Sequence, residues 1–63
     1  MKHAEAKYIS LGYRYEAAKS IQAGTAIART IRGLLESESI EDRAEARRLV
    51  DRGRQEARQG VAA

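Results

Sequence analysis

The side chains that could act as nucleophiles or general bases are few and isolated in this sequence. The four serines are Ser10, Ser20, Ser37 and Ser39. A nucleophilic serine needs a positioned base, and His3 is the one histidine of a sequence that contains no cysteine. We interpret His3 as a solvated residue because it precedes the helical pattern. We therefore predict that this protein is not an enzyme.

Metal and cofactor sites are also not indicated. Such sites need several ligands at fixed spacing, and no HExxH, CxxC, EF-hand, Walker A or GxGxxG pattern occurs. The carboxylate pairs Glu38–Asp42 and Glu41–Glu45 fall on what we expect to be a charged helix surface. We predict that the protein binds no metal and no cofactor.

An arginine stripe is the main feature that could bind an anion. Its members lie within about 60° of one another on a helical projection. They are Arg43, Arg47, Arg54 and Arg58. Guanidinium groups at this spacing could hold phosphates of a nucleic acid or nucleotide, or carboxylates of a protein. The alternative, which we favour, is salt bridging within the helix or across an oligomer, because Asp51 follows Arg47 by four residues.

The tyrosines indicate either core packing or contact with a partner. All three aromatic residues lie between Tyr8 and Tyr15, and tyrosine suits both protein hot spots and base stacking. Tyr13 falls on the main apolar stripe, so we expect it in the core. Tyr8, Leu11 and Tyr15 fall on a second stripe and are the predicted partner-binding residues.

The elements that would position these residues are helices. The sequence has no proline and is rich in Ala, Glu, Arg, Lys, Gln and Leu, which favour helix. Apolar residues recur at three- and four-residue steps from about residue 4 to 36, which predicts one long helix, with a break at Gly12 as the alternative. Ser39 and Asp42 predict a capped start at Ile40, and Gly60 predicts an end after a helix of about 40–59. The fold class is all-α: a single domain over 1–63, made of a long helix, a turn at 37–39 and a shorter helix.

The predicted second helix is too short to cover the first. About 20 residues span only about 30 Å, so an antiparallel partner would leave the segment from Tyr8 to Tyr15 uncovered. The first helix also carries apolar stripes on two sides, which is typical of a helix packed between neighbours. We predict a homo-oligomer, most simply a dimeric four-helix bundle with twofold symmetry. The residues predicted to self-associate are Ile9, Tyr13, Ala17, Ile21, Gly24, Ile27, Ala28, Ile31, Leu34, Leu35, Leu49 and Val50.

Composition limits the setting in which this chain would work. No run approaches the roughly 20 apolar residues that cross a bilayer, and no signal-peptide pattern is present, so we expect the mature chain to begin at Met1. The lack of cysteine fits a reducing compartment. We expect a soluble, cytoplasmic protein with no membrane partner.

The function favoured by these patterns is binding. The formal net charge of +3 permits an anionic partner but is far below that of a dedicated nucleic-acid arm. We predict a non-catalytic interaction or regulatory protein, of the phage- or plasmid-accessory kind, that self-associates and binds or inhibits another macromolecule, most simply a protein. Two alternatives remain open: a dimer that binds nucleic acid through the arginine stripe, and an inter-subunit site for an anionic ligand such as a nucleotide.

Overall fold

The computed structural model describes residues 5–60 and consists of three helices with no strand in that range. They are α1 (Glu5–Ala17), α2 (Ile21–Glu36) and α3 (Ile40–Arg58). The predicted all-α class is confirmed. The predicted start of the first helix at residue 4, and His3, lie outside the described residues.

The single long helix predicted over 4–36 is wrong, because the chain leaves the helix at Ala18 and re-enters it at Ile21. Ser20 is extended, with φ −140° and ψ 156°, and its Oγ accepts a hydrogen bond from the Ala23 amide at 3.1 Å. This is an N-cap, which satisfies an amide that a continuous helix would pair elsewhere. The alternative break at Gly12 does not occur, since α1 continues through that residue.

The predicted boundaries of the last helix are confirmed to within one residue. Ser39 is the N-cap of α3, and its Oγ accepts from the Asp42 amide at 3.2 Å. The helix ends at Arg58, followed by the cap residue Gln59. Gly60 has φ +76°, the left-handed conformation that glycine adopts without strain.

The core forms between α1 and α3. Tyr8, Leu11, Ala46 and Val50 are the buried apolar side chains of the described residues. The expectation that the Tyr8–Tyr15 segment has no neighbour in its own chain is therefore wrong. Once the chain breaks at Ala18, α1 is free to pack along α3 instead of extending away from it.

Two glycines bring the backbones of α1 and α3 into direct contact. A Cβ added to Gly12 would overlap the Val50 carbonyl oxygen and lie 2.8 Å from its carbon. A Cβ added to Gly53 would overlap the Ile9 carbonyl oxygen and lie 2.8 Å from the Tyr13 nitrogen. Any other residue at either position would force the helices apart, so the two glycines determine how closely α1 and α3 pack.

Helix α2 packs less tightly than α1 and α3. None of its residues is buried, and it makes far fewer contacts with α3 than α1 does. Ile31, Leu34 and Leu35 rest partly buried against the core, while Ile21 at the other end of α2 is 89% exposed. The fold thus consists of a tightly packed α1–α3 pair and a helix whose apolar face is only partly covered.

Candidate functional site

The largest concave surface follows the open side of α2, where two grooves meet. One groove, of about 470 Å³, lies between α2 and α3, and the other, of about 640 Å³, continues to the start of α2. They share Tyr15, Ala28, Arg32 and Arg54. We call the combined surface the α2 groove.

The floor of the α2 groove is apolar and its rim is basic. Its apolar lining residues are Tyr15, Ala18, Ile21, Gly24, Ala28, Ile31, Leu35 and Val50. Its charged lining residues are Glu16, Arg29, Arg32, Glu36, Arg43, Arg47 and Arg54. Arginine therefore outnumbers carboxylate by five to two along this surface, which favours an occupant that carries negative charge.

Three residues of the predicted arginine stripe line this groove, and the fourth lies outside its lining. Arg43 donates from Nε to the Leu35 carbonyl oxygen at 2.9 Å and from Nη2 to the Glu38 carbonyl oxygen at 3.3 Å. It thus joins α3 to the C-terminal end of α2 and to the turn that follows it. Arg47 is exposed and enters none of the ion pairs of the described residues.

The other two stripe residues converge on a carboxylate of α1. Arg54 Nε donates to Glu16 Oε1 at 2.9 Å, and Arg58 Nε lies 3.3 Å from Glu16 Oε2. The hydrogen bonds from Arg54 and Arg58 lower the pKa of the Glu16 carboxyl below its ordinary value. The Arg54 guanidinium also lies 5.0 Å from the centre of the Tyr15 ring, in cation–π range. This cluster connects the end of α1 to the end of α3.

The predicted partner-binding residues are separated by the fold. Tyr8 is 2% exposed and packs in the core with Ala46 and Val50 of α3, and Leu11 is also buried; only Tyr15 stays half-buried at the groove. The Tyr8 hydroxyl donates to Glu38 Oε1 at 3.2 Å. Burial, and next the negative charge of Glu38, raise the pKa of Tyr8. Tyr8 is therefore a core residue that ties α1 to the turn after α2.

The residues predicted to self-associate fall into three environments. Val50 is buried, and Ala17 and Ile21 are exposed. Half-buried are Ile9, Tyr13, Gly24, Ile27, Ala28, Ile31, Leu34, Leu35 and Leu49. Ile9 and Tyr13 line a separate groove of about 480 Å³ with Arg52 and Glu56, so the predicted set does not form one continuous surface.

Sequence reasoning did not predict the contacts of Glu16 and Glu38, nor Arg32 as a residue that lines the α2 groove. Glu16 contacts arginines 38 and 42 residues away, and Glu38 contacts Tyr8 30 residues away. Local spacing carries no signal for such pairs. For Arg32 a signal was present, because it follows Ala28 by four residues and so borders the apolar stripe of α2.

The part of the chain that the structure describes contains neither a helix that could span a membrane nor a cluster of metal ligands. Between residues 5 and 60, no helix is long and apolar enough to span a bilayer. The same residues contain no group of three or more potential metal ligands. No protein-family model matches the sequence, and neither a curated protein nor a solved structure is significantly similar to it.

Proposed function

We propose that this chain is a non-catalytic interaction protein whose partner-binding element is the apolar face of α2. One observation carries the proposal: α2 has the most strongly segregated apolar face of the three helices, yet none of its residues is buried. A helix with one apolar face normally buries that face against a neighbour. Here the apolar face of α2 borders an open groove, so we infer that another macromolecule covers it.

The gain available on covering this face is appreciable. Complete burial of a Leu or Ile side chain contributes roughly 1.5–3 kcal/mol relative to exposure. Ile31 and Leu35 are half-buried and Ile21 is almost fully exposed, so several kilocalories per mole of apolar stabilisation remain unused. Gly24 and Ala28 have small side chains, which lets another helix approach α2 closely.

The two alternatives draw less support from the geometry. Nucleic-acid binding through the predicted arginine stripe would need arginines free to meet phosphates, whereas three of its four members, Arg43, Arg54 and Arg58, already contact acceptors within the chain. A small anionic ligand is normally enclosed over most of its surface, whereas the α2 groove is open along its length. An open groove fits an extended macromolecular surface better.

The proposal is tested by a pair of matched substitutions on α2. Ala28→Glu places a carboxylate on the floor of the groove, while Ala26→Glu makes the same change at an exposed residue outside the groove lining. Circular dichroism and thermal unfolding first establish that both variants are folded. The proteins are then used to capture partners from a lysate of the native host and to capture a differently tagged copy of the same chain.

We expect the wild type and Ala26→Glu to retain the same specific partner, with Ala28→Glu losing it. Equal retention by the two variants would contradict the proposal. So would a wild type that binds neither a host macromolecule nor itself at micromolar concentration, because the apolar face would then be stable in water without any covering.

A further inference from the structure

Two strongly exposed isoleucines stand at opposite ends of α2. Ile21 begins α2 and is 89% exposed, and Ile40 begins α3, four residues after α2 ends, and is 81% exposed. Along α2 the first and last residues are separated by roughly 22 Å at 1.5 Å per residue. One chain therefore cannot bring its own two isoleucines together.

The charges around these two isoleucines have opposite signs. The segment 36–45, which surrounds Ile40, contains five acidic residues and one basic residue. The acidic residues are Glu36, Glu38, Glu41, Asp42 and Glu45. The basic one, Arg43, is turned to the carbonyl oxygens of Leu35 and Glu38. We call the segment 36–45 with Ile40 the acidic corner.

The end of the α2 groove at Ile21 is basic. Arg29 and Arg32 line it and are exposed, and Lys19 lies in the adjoining connection. The one carboxylate in its lining, Glu16, is already paired with Arg54 and Arg58. We call this end, with Ile21, Gly24 and Ala28, the basic groove.

Within residues 5–60, these charges have no ionic partner. The ion pairs found among residues 5–60 join Arg52 to Glu56 and Arg54 and Arg58 to Glu16. None of them involves a carboxylate of the acidic corner, nor Lys19, Arg29 or Arg32. Each end of α2 thus combines an exposed isoleucine with charges that are unpaired in this part of the chain, and the two ends are complementary in sign.

We propose that the acidic corner of one copy docks in the basic groove of a second copy. Ile40 enters beside Ile21, Gly24 and Ala28, and carboxylates of the corner meet Arg29 and Arg32. The inference rests on the proposed function, since it takes the α2 face as the binding surface and names its occupant. Because the two surfaces differ, the contact is heterologous, so each copy can continue the assembly by adding another.

Charge also argues against the twofold pairing expected from the sequence. If two α2 faces met each other about a twofold axis, the arginines at their edges, Arg29 and Arg32, would come close to those of the second copy. Like charges brought together at an interface are costly. A head-to-tail contact instead places those arginines against carboxylates, and electrostatic attraction of this kind weakens as salt screens it.

The test uses one variant that blocks each surface. Ile40→Lys removes the apolar anchor of the acidic corner, and Arg29→Glu with Arg32→Glu reverses the charge of the basic groove. A control variant, Arg14→Glu with Arg48→Glu, makes the same change in net charge at exposed positions outside the α2 groove. Sedimentation velocity is measured for each folded protein over micromolar to millimolar concentrations, at low and high salt.

We expect the wild type and the control to form species that grow beyond a dimer as concentration rises, and to lose them at high salt. Each blocking variant alone should self-associate at least about tenfold more weakly than the wild type. Mixing the two blocking variants leaves one working corner and one working groove, so the mixture should form a one-to-one dimer and stop there. That terminated dimer is specific to a head-to-tail contact.

Three results would overturn the inference. They are a wild type that stays monomeric, a closed dimer that Ile40→Lys leaves intact, and a mixture of the blocking variants that does not associate. In each case the proposed function would still stand if a host partner were captured by the wild type and lost only with Ala28→Glu. Loss of that capture together with absence of self-association would reject both proposals.

Discussion

The backbone contact between α1 and α3 predicts opposite effects for the same substitution at two glycines. Gly12→Ala places a methyl group against the Val50 carbonyl, 2.8 Å from its carbon and 3.0 Å from its Cα. Gly33→Ala makes the identical change within α2, where nothing lies within 4 Å of the added carbon. Both residues are inside helices, so the gain from replacing glycine with a better helix former is common to both.

The magnitudes follow from these two environments. Alanine in place of a helical glycine contributes about 1 kcal/mol, and Gly33→Ala should raise the free energy of unfolding by nearly that amount. At Gly12 the obstructing atoms are backbone and cannot rotate away, so α1 must move outward. Overpacking of this kind typically costs about 1–3 kcal/mol, and loosened packing of Tyr8 and Val50 adds to it. We expect a net loss of roughly 1–2 kcal/mol after the helical gain.

Thermal unfolding followed by circular dichroism at 222 nm measures both changes. For a domain of this size, 1 kcal/mol corresponds to roughly 4–8 °C in the unfolding midpoint, so the two variants should shift the midpoint in opposite directions. Gly53→Ala should resemble Gly12→Ala, and combining the two should cost less than their sum, because helices already separated accommodate the second methyl group. Equal midpoints for Gly12→Ala and Gly33→Ala would refute the contact.

Three further changes test individual polar contacts. Tyr8→Phe should cost about 1 kcal/mol by removing the hydrogen bond to Glu38. Because the pKa of Tyr8 is raised in the folded state, the wild type should lose more stability than this variant as pH rises through the tyrosine range above 10. The pKa of Glu16 is lowered by Arg54 and Arg58, so its contribution should be present at neutral pH and disappear as pH falls below its ordinary value of 4.5; Glu16→Gln should show a smaller loss in urea midpoint over that acidic range. Arg43→Gln should remove the bonds to the end of α2, and faster amide hydrogen exchange in the last turn of α2, with α1 unaffected, would verify it.

The ends of α3 could be predicted from sequence because their causes are local. Ser39 caps an amide three residues ahead, and Gly60 adopts a conformation that other residues avoid. Both effects depend on a few neighbouring residues. The buried residues of α3, which are Ala46, Val50 and Gly53, also follow a local rule, because one helix face repeats every three or four residues.

The break between α1 and α2 could not be read from periodicity. Ala17 and Ile21 are four residues apart, which is the spacing of a continuous helix, so the interruption leaves the apolar pattern unchanged. Ser20 carried the missing signal, because serine is a strong N-cap and a weak interior residue. Ser20 was considered above only as a possible nucleophile and not as an N-cap.

The pairing of α1 with α3 was also beyond local reasoning. Gly12 was interpreted as a possible break in a helix, whereas in the fold it allows a close backbone approach between α1 and α3. Its counterpart, Gly53, lies 41 residues away in sequence. Only the three-dimensional arrangement brings these two glycines together. Because the α1–α3 packing buries Tyr8, the candidate site lies on the open face of α2 and not in the segment from Tyr8 to Tyr15.

The pairing of the first helix with the last also bears on how this chain reaches its native state. The polar contacts that join α1 to the rest span 30, 38 and 42 residues, and the chain entropy lost in closing such loops must be overcome before the contacts can form. Folding rate falls as contacts become less local, so this protein should fold slowly for a small helical one. During synthesis α1 is made before α3, so Tyr8 stays without its core neighbours Ala46 and Val50 until α3 has been translated.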